Sequence, residues 1–343
     1  MKTVYSEKHK LHHAKLELIN GKMEPAVEMP SRAETVLERV KSVDLGPVVD
    51  PTAHGRDPLL KVHDAGYVDF LAKAWELWTA EGRDYEALPL VWPVRGLRQV
   101  EPEHIDGKLS YFSFDAGTPI TAGTWEAASA GADVALTGAD LLRAGATSAF
   151  ALCRPPGHHA AGDFYGGYCF LNNAAIAAQS FIDGGAGRVA VLDVDYHHGN
   201  GTQAIFYDRP DVFFASIHGD PRQEFPFFLG YEDETGEGAG EGCNANYPLR
   251  WGSGFDVWRA ALEDSCKKIA DYGPEAVVVS LGVDTFEKDP ISQFKLKSDD
   301  YFVIGETIAR LGKPTLFVME GGYAVAEIGV NAVNVLLGFE GRR

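Results

Sequence analysis

Val189-Ala190-Val191-Leu192-Asp193-Val194-Asp195-Tyr196-His197-His198-Gly199-Asn200 passes from an unbroken apolar run straight into acids, imidazoles and a glycine. A short continuous apolar run suits a strand buried on both faces, which is the habit of parallel sheets. The same design recurs along the chain. Residues 147–153 precede Arg154-Pro155-Pro156-Gly157-His158-His159, and residues 212–217 precede His218-Gly219-Asp220. Residues 276–281 precede Gly282-Val283-Asp284, and residues 315–319 precede Glu320-Gly321-Gly322-Tyr323. Between these runs, residues 172–181 are rich in alanine, and residues 257–269 and 299–311 carry helical patterns. The alternation predicts an α/β domain with a parallel sheet. Ligands bind such sheets outside the carboxyl ends of the strands. Every polar cluster follows its strand, so all of them are expected on one rim.

On that rim the residue types point to metal-assisted hydrolysis. Side chains alternate with period two along a strand, so Asp193, Asp195 and His197 face one way and Tyr196 the other. Asp195 and His197 can share a metal ion, and Asp284 offers a third ligand. Three N/O ligands with an open position describe a catalytic zinc site. Singly, each acid reads as a helix cap; their convergence favours the metal. Pro155 and Pro156 stiffen the turn before His158 and His159. Neighbouring side chains there point apart, which suits separate roles in proton transfer, with Asp193 and Asn200 as available partners. Gly321 and Gly322 permit close backbone approach and could present the Tyr323 hydroxyl to a reacting carbonyl, although a buried tyrosine is more often a packing residue.

The 343 residues are 45% hydrophobic, enough for one large core; α/β domains of this length often form one unit. No stretch approaches the roughly 20 apolar residues of a membrane span. The first ten residues hold no apolar h-region, so no secretory signal is expected. Cys153, Cys169, Cys243 and Cys266 are widely spaced, as for reduced thiols in a cytoplasmic protein. A net charge of −18 disfavours nucleic acid and favours cationic ligands. Residues 88–123 break the alternation with four prolines (Pro89, Pro93, Pro102, Pro119) and mixed charge. Trp92, Tyr111, Phe112 and Phe114 argue against disorder, so this is expected as a long structured loop.

The motifs RPPGHH (154–159), GGYCFLNNAA (166–175), VLDVDYHHGNGTQ (191–203), SLGVDTF (280–286) and MEGGY (319–323) resemble the histone deacetylase superfamily. KVHDAGYVDFL (61–71), ASIHGDP (215–221) and FLGY (228–231) bring the resemblance closest to its bacterial acetylpolyamine amidohydrolase branch. It implies the arginase/deacetylase fold over residues 1–343: one α/β domain with an eight-stranded parallel sheet flanked by helices. It implies that Asp195, His197 and Asp284 bind zinc. His159 matches the general base and acid, His158 its electrostatic neighbour, and Tyr323 the residue that polarises the scissile carbonyl. The Gly167 carbonyl would meet the substrate amide, and Tyr168 and Phe225 would wall a narrow tunnel. A structural potassium site would use Asp193, Ser216 and the carbonyls of Asp195, His197 and Ile217. A second monovalent site would use carbonyls near Phe206, Arg209 and Val212.

Two departures from the wider superfamily stand out. Asn200 stands where some branches carry Asp, which leaves the His159 imidazole less basic. The segment 88–123 has no equivalent of that length in typical histone deacetylases; in the polyamine branch it helps build a homodimer and narrows the tunnel. The implied substrate is an acetylated diamine or polyamine, whose ammonium would sit near acidic groups at the mouth, with Glu17 and Asp106 as candidates. A protein acetyl-lysine deacetylase, an arginase-like ureohydrolase with two manganese ions and a non-catalytic binding module stay open as other readings. So does the choice between zinc and iron(II).

Overall fold

A computed structural model describes all residues from Met1 to Arg343. The chain runs through β1 (Lys2–Val4), β2 (Leu16–Ile19), β3 (Lys22–Pro25), α1 (Ser31–Ser42), β4 (Val48–Val49), α2 (Ala65–Ala80) and α3 (Ile105–Tyr111). It continues through α4 (Thr124–Arg143), β5 (Ser148–Ala151), α5 (Asn173–Asp183), β6 (Val189–Asp193), α6 (Asn200–Phe206), β7 (Val212–Gly219) and β8 (Asn244–Leu249). The last elements are α7 (Phe255–Tyr272), β9 (Ala276–Leu281), α8 (Asp300–Ala309), β10 (Thr315–Met319) and α9 (Val325–Phe339).

Eight strands form one parallel sheet in the order β4-β1-β5-β10-β9-β6-β7-β8, while β2 and β3 make a separate antiparallel hairpin. The five apolar runs of the sequence are the five central strands, β5, β10, β9, β6 and β7. Both faces of these strands are covered. On β6, Ala190 and Leu192 join the apolar layer beneath α1, α7, α8 and α9, while Val189 and Val191 join the layer beneath α4 and α5. On β9, Val277, Val279 and Leu281 face the first layer, and Ala276 and Val278 the second. Burial on two sides is why these strands read as continuous apolar runs. No helix is long and apolar enough to cross a membrane.

Residues 88–123 are not loop throughout. They contain α3, whose Ile105 and Leu109, with Phe112, enter a third apolar cluster against α2. Phe112 stacks on Phe70 with ring centroids 4.8 Å apart, and a bridge between Ala87 and Ile120 closes the base. What projects is residues 89–101, where Leu90, Val91, Val94, Leu97 and Val100 are 51–77% exposed. Of the segment's aromatics, Phe112 enters this core and Tyr111 packs against it, while the exposed side chains of residues 89–101 are aliphatic.

Candidate active site

The carboxyl ends of β5, β6, β9 and β10 deliver His158, Asp195, Asp284 and Gly321 to one place. The His197 Nδ1 lies 3.2 Å from Asp284 Oδ2 and 3.5 Å from Asp195 Oδ1. One ligand atom from each of Asp195, His197 and Asp284 falls within 4.8 Å of the others, and all three residues are buried. Backbone amides fix the carboxylates. Gly321 N donates to Asp195 Oδ2 (2.8 Å), His197 N to Asp195 Oδ1 (2.9 Å) and Tyr196 N to Asp284 Oδ1 (2.7 Å). Gly321 is required here, because a Cβ would come within 2.5 Å of both Asp195 Oδ2 and Asp284 Oδ2. Burial and then repulsion from Asp195 push the Asp284 carboxyl up. Two buried carboxylates converging with an imidazole are a donor set that a divalent cation satisfies.

The tandem histidines diverge as expected of neighbours. His158 Nδ1 meets Asp193 Oδ2 at 3.0 Å. Burial opposes its charge, but the Asp195 and Asp193 carboxylates outweigh that and raise His158 to about 10. His159 Nδ1 meets the amide oxygen of Asn200 at 2.6 Å. That oxygen only accepts, so Nδ1 carries the proton and Nε2 is left with its lone pair. Burial, then the charges on His158 and His197, hold His159 well below the usual imidazole value.

Tyr323 sits across from Tyr168, ring centroids 5.6 Å apart. Burial pushes its phenol well above the usual value, so it stays a hydrogen-bond donor. On the other side Phe225 stacks on Phe114 at 5.5 Å and meets the His159 ring edge-on at 5.2 Å. His159, Gly167, Tyr168, His197, Phe225 and Tyr323 border one cavity of about 560 Å³.

Two supports had no signature in the sequence. Asp115 Oδ2 accepts from Gly167 N (2.5 Å) and Thr118 Oγ1 (3.0 Å), which holds Gly167 at a φ of +55° beside His159. The Asp115-x-Gly117 turn was the only local hint. Arg32 donates through Nε to Gly322 O and through Nη2 to Glu320 O (both 2.6 Å), and its guanidinium lies 4.5 Å from the Tyr323 ring centroid. Glu28 neutralises Arg32 (2.8 Å) and also binds Arg154 (2.8 and 2.9 Å). The N-terminal segment thus clamps the turn that carries Tyr323.

The expected potassium residues fall at the β6–β7 end and the turn before β7. Asp193 and Ser216 are partners in register across β6 and β7, with Ile217 next along β7. The Ser216 hydroxyl meets His218 Nδ1 at 2.8 Å. Phe206, Arg209 and Val212 lie in the α6–β7 connection, where Arg209 N donates to Phe206 O (3.1 Å). The two expected ammonium ligands are not at the cavity mouth of this chain. Glu17, in the β2–β3 hairpin, is only 1% exposed and accepts from Val27 N (2.8 Å). Asp106, on α3, is taken up by Arg83, whose Nη2 donates to Oδ2 at 3.0 Å.

Residues 26–338 match the histone deacetylase domain. The chain is 64% identical to acetylpolyamine amidohydrolase 1 of Pseudomonas aeruginosa over 343 residues, 99% of both chains. It is 56% identical to the acetylpolyamine amidohydrolase of Mycoplana ramosa, covering 99% of this chain and all of that one. The crystal structure of an acetylpolyamine aminohydrolase from Burkholderia pseudomallei superposes with a TM-score of 0.94 at 38% identity, over 99% and 98% of the two chains. The chain belongs to the histone deacetylase family, in its acetylpolyamine amidohydrolase branch, and is a hydrolytic deacetylase.

Proposed function

We propose that the chain is a zinc-dependent amidohydrolase that cleaves acetylated diamines and polyamines, of the acetylputrescine and acetylcadaverine type, to acetate and free amine. The observation that carries this reading is the convergence of Asp195, His197 and Asp284 within 4.8 Å of one another, beside the cavity that His159 and Tyr323 border. The relatives named as acetylpolyamine amidohydrolases at 56–64% identity support the substrate class. Zinc held by these three side chains would supply Lewis acidity for a water and the acetamide carbonyl.

The chain's own groups do the rest. His159 Nε2 takes a proton from the attacking water, while its Nδ1–H stays on Asn200. The Tyr323 hydroxyl donates to the oxygen on which negative charge develops. His159 then returns the proton to the departing nitrogen. The Gly167 carbonyl accepts from the substrate amide N–H, and Tyr168 and Phe225 keep bulk water and bulky acyl groups out. Potassium at Asp193, Ser216 and the neighbouring carbonyls would brace the Asp195–His197 turn from below. Tyr323→Phe should lower kcat by about 10²–10³-fold with little change in KM, the loss typical of one oxyanion donor. A variant keeping more than about half of its activity would place the carbonyl polariser elsewhere.

A homodimer formed through residues 89–101 follows from the same reading. Five exposed aliphatic side chains in one segment, 51–77% accessible, are more than a solvated loop needs. A second copy packed there would narrow the approach to the cavity. The test is a side-by-side assay on acetylputrescine, acetylcadaverine, acetylspermidine and an acetyl-lysine histone peptide, with mass measured in solution. A dimer that hydrolyses the small amines well and the peptide poorly is expected. Deleting residues 92–98 should loosen the dimer and reduce that preference. A monomer acting equally on both would favour the protein-deacetylase reading.

A further inference from the structure

We propose that Glu224, together with the indole of Trp251, binds the distal ammonium of the substrate; this rests on the acetylated-amine reading above. Glu224 and Trp251 both border the active-site cavity, and Glu224 immediately precedes the tunnel residue Phe225. The carboxylate is held by neutral donors. Tyr196 Oη donates to Oε2 at 2.6 Å, Trp251 Nε1 to Oε2 at 3.0 Å, and Phe225 N to Oε1 at 3.0 Å. These bonds fix its position and leave its charge uncancelled. A carboxylate offers about four acceptor sites, so three donors do not exhaust it. The nearest basic residue in sequence, Arg222, is turned to Asp220 at 3.1 Å.

The other carboxylate bordering the cavity, Asp115, also accepts three bonds, but it braces Gly167 at the His159 end of the cavity rather than standing beside an exposed indole. Its Oδ2 serves Gly167 and Thr118, and its Oδ1 serves Gly117. Glu17 and Asp106 are excluded from this role within one chain by burial and by Arg83 respectively. Glu224 is only half-buried, and Trp251 is 50% exposed. With its N–H spent on the carboxylate, the indole has its ring left to offer, and ring faces attract ammonium groups. A fixed carboxylate beside an indole, next to the aromatic wall of the slot, selects a slender substrate with a cation at its far end.

The experiment compares acetylputrescine with N-butylacetamide, which has the same chain and scissile amide but no ammonium. Wild-type protein should prefer acetylputrescine. Glu224→Gln, which keeps an acceptor for Tyr196 and Trp251, should raise the acetylputrescine KM by about 10–100-fold, with kcat and the N-butylacetamide rate held within about twofold. Trp251→Leu should raise the same KM by about 2–5-fold. A Glu224→Gln variant that keeps the wild-type preference overturns the subsite. So does one in which both substrates decline together, since that marks Glu224 as structural. Wild-type protein that hydrolyses neither compound would overturn the acetylated-amine reading itself, and the subsite with it.

Discussion

His159→Ala is expected to lower kcat on acetylputrescine by about 10²–10⁴-fold, the usual worth of a positioned acid and base. Asn200 Oδ1 can only accept, so at 2.6 Å it fixes the tautomer in which His159 Nε2 has the lone pair. His158 cannot replace it. Its Nδ1 is bound to Asp193 at 3.0 Å, and the flanking Asp195 and Asp193 carboxylates raise it to about 10 against the cost of burial. At neutral pH it is already protonated and cannot serve as the base. Asn200→Ala removes only the orienting partner and should cost about 10–100-fold. The reverse order of losses would hand the proton shuttle to another group.

Stripping the metal should abolish hydrolysis altogether, and Zn²⁺ or Co²⁺ should restore it. Asp195 and Asp284 are fully buried and aimed by backbone amides, and His197, at the cavity edge, is aimed by those two carboxylates. Two buried carboxylates aimed at one point beside an imidazole form a donor set that a divalent cation satisfies. Two carboxylates would also neutralise most of the charge of a divalent ion, which is the reason for proposing Tyr323 as a second carbonyl polariser. His158, Cys169 and Glu320 form another buried group of potential ligands. His158 Nδ1 is bound to Asp193 and Glu320 Oε2 to the amides of Gly157 (2.6 Å) and His158 (3.2 Å); Glu320 Oε1 has no partner, but burial pushes both the Glu320 carboxyl and the Cys169 thiol up, toward neutral forms that ligate a cation poorly. One transition metal per chain is therefore expected.

The rim was legible in the sequence because its residues immediately follow strands buried on both faces. β6, β9 and β10 are recognisable from composition alone, but β6 ends at Asp193, so Asp195 and His197 converge in the bend beyond the strand and not through its period of two. The edge of the sheet was not legible. β4 is two residues long, and β8 reads Asn244-Ala245-Asn246-Tyr247-Pro248-Leu249, polar and proline-bearing, with half of it partly exposed. α3 was hidden because it has seven residues and a glycine, Gly107, in its middle. Asp115, Glu28 and Arg32 act through contacts between segments far apart in the chain, and such contacts leave no local pattern. Glu17 and Asp106 were expected at the mouth for their acidity, and acidity does not reveal that Arg83 pairs with Asp106 or that Glu17 is buried against the Val27 amide.

The most direct test of the central claim is a titration of metal-free protein with Zn²⁺, following acetate released from acetylputrescine. Activity should rise linearly and saturate at one equivalent per chain, while Asp284→Ala protein regains none. Saturation only after two tightly bound Mn²⁺ per chain, or full activity in the metal-free protein, would contradict it.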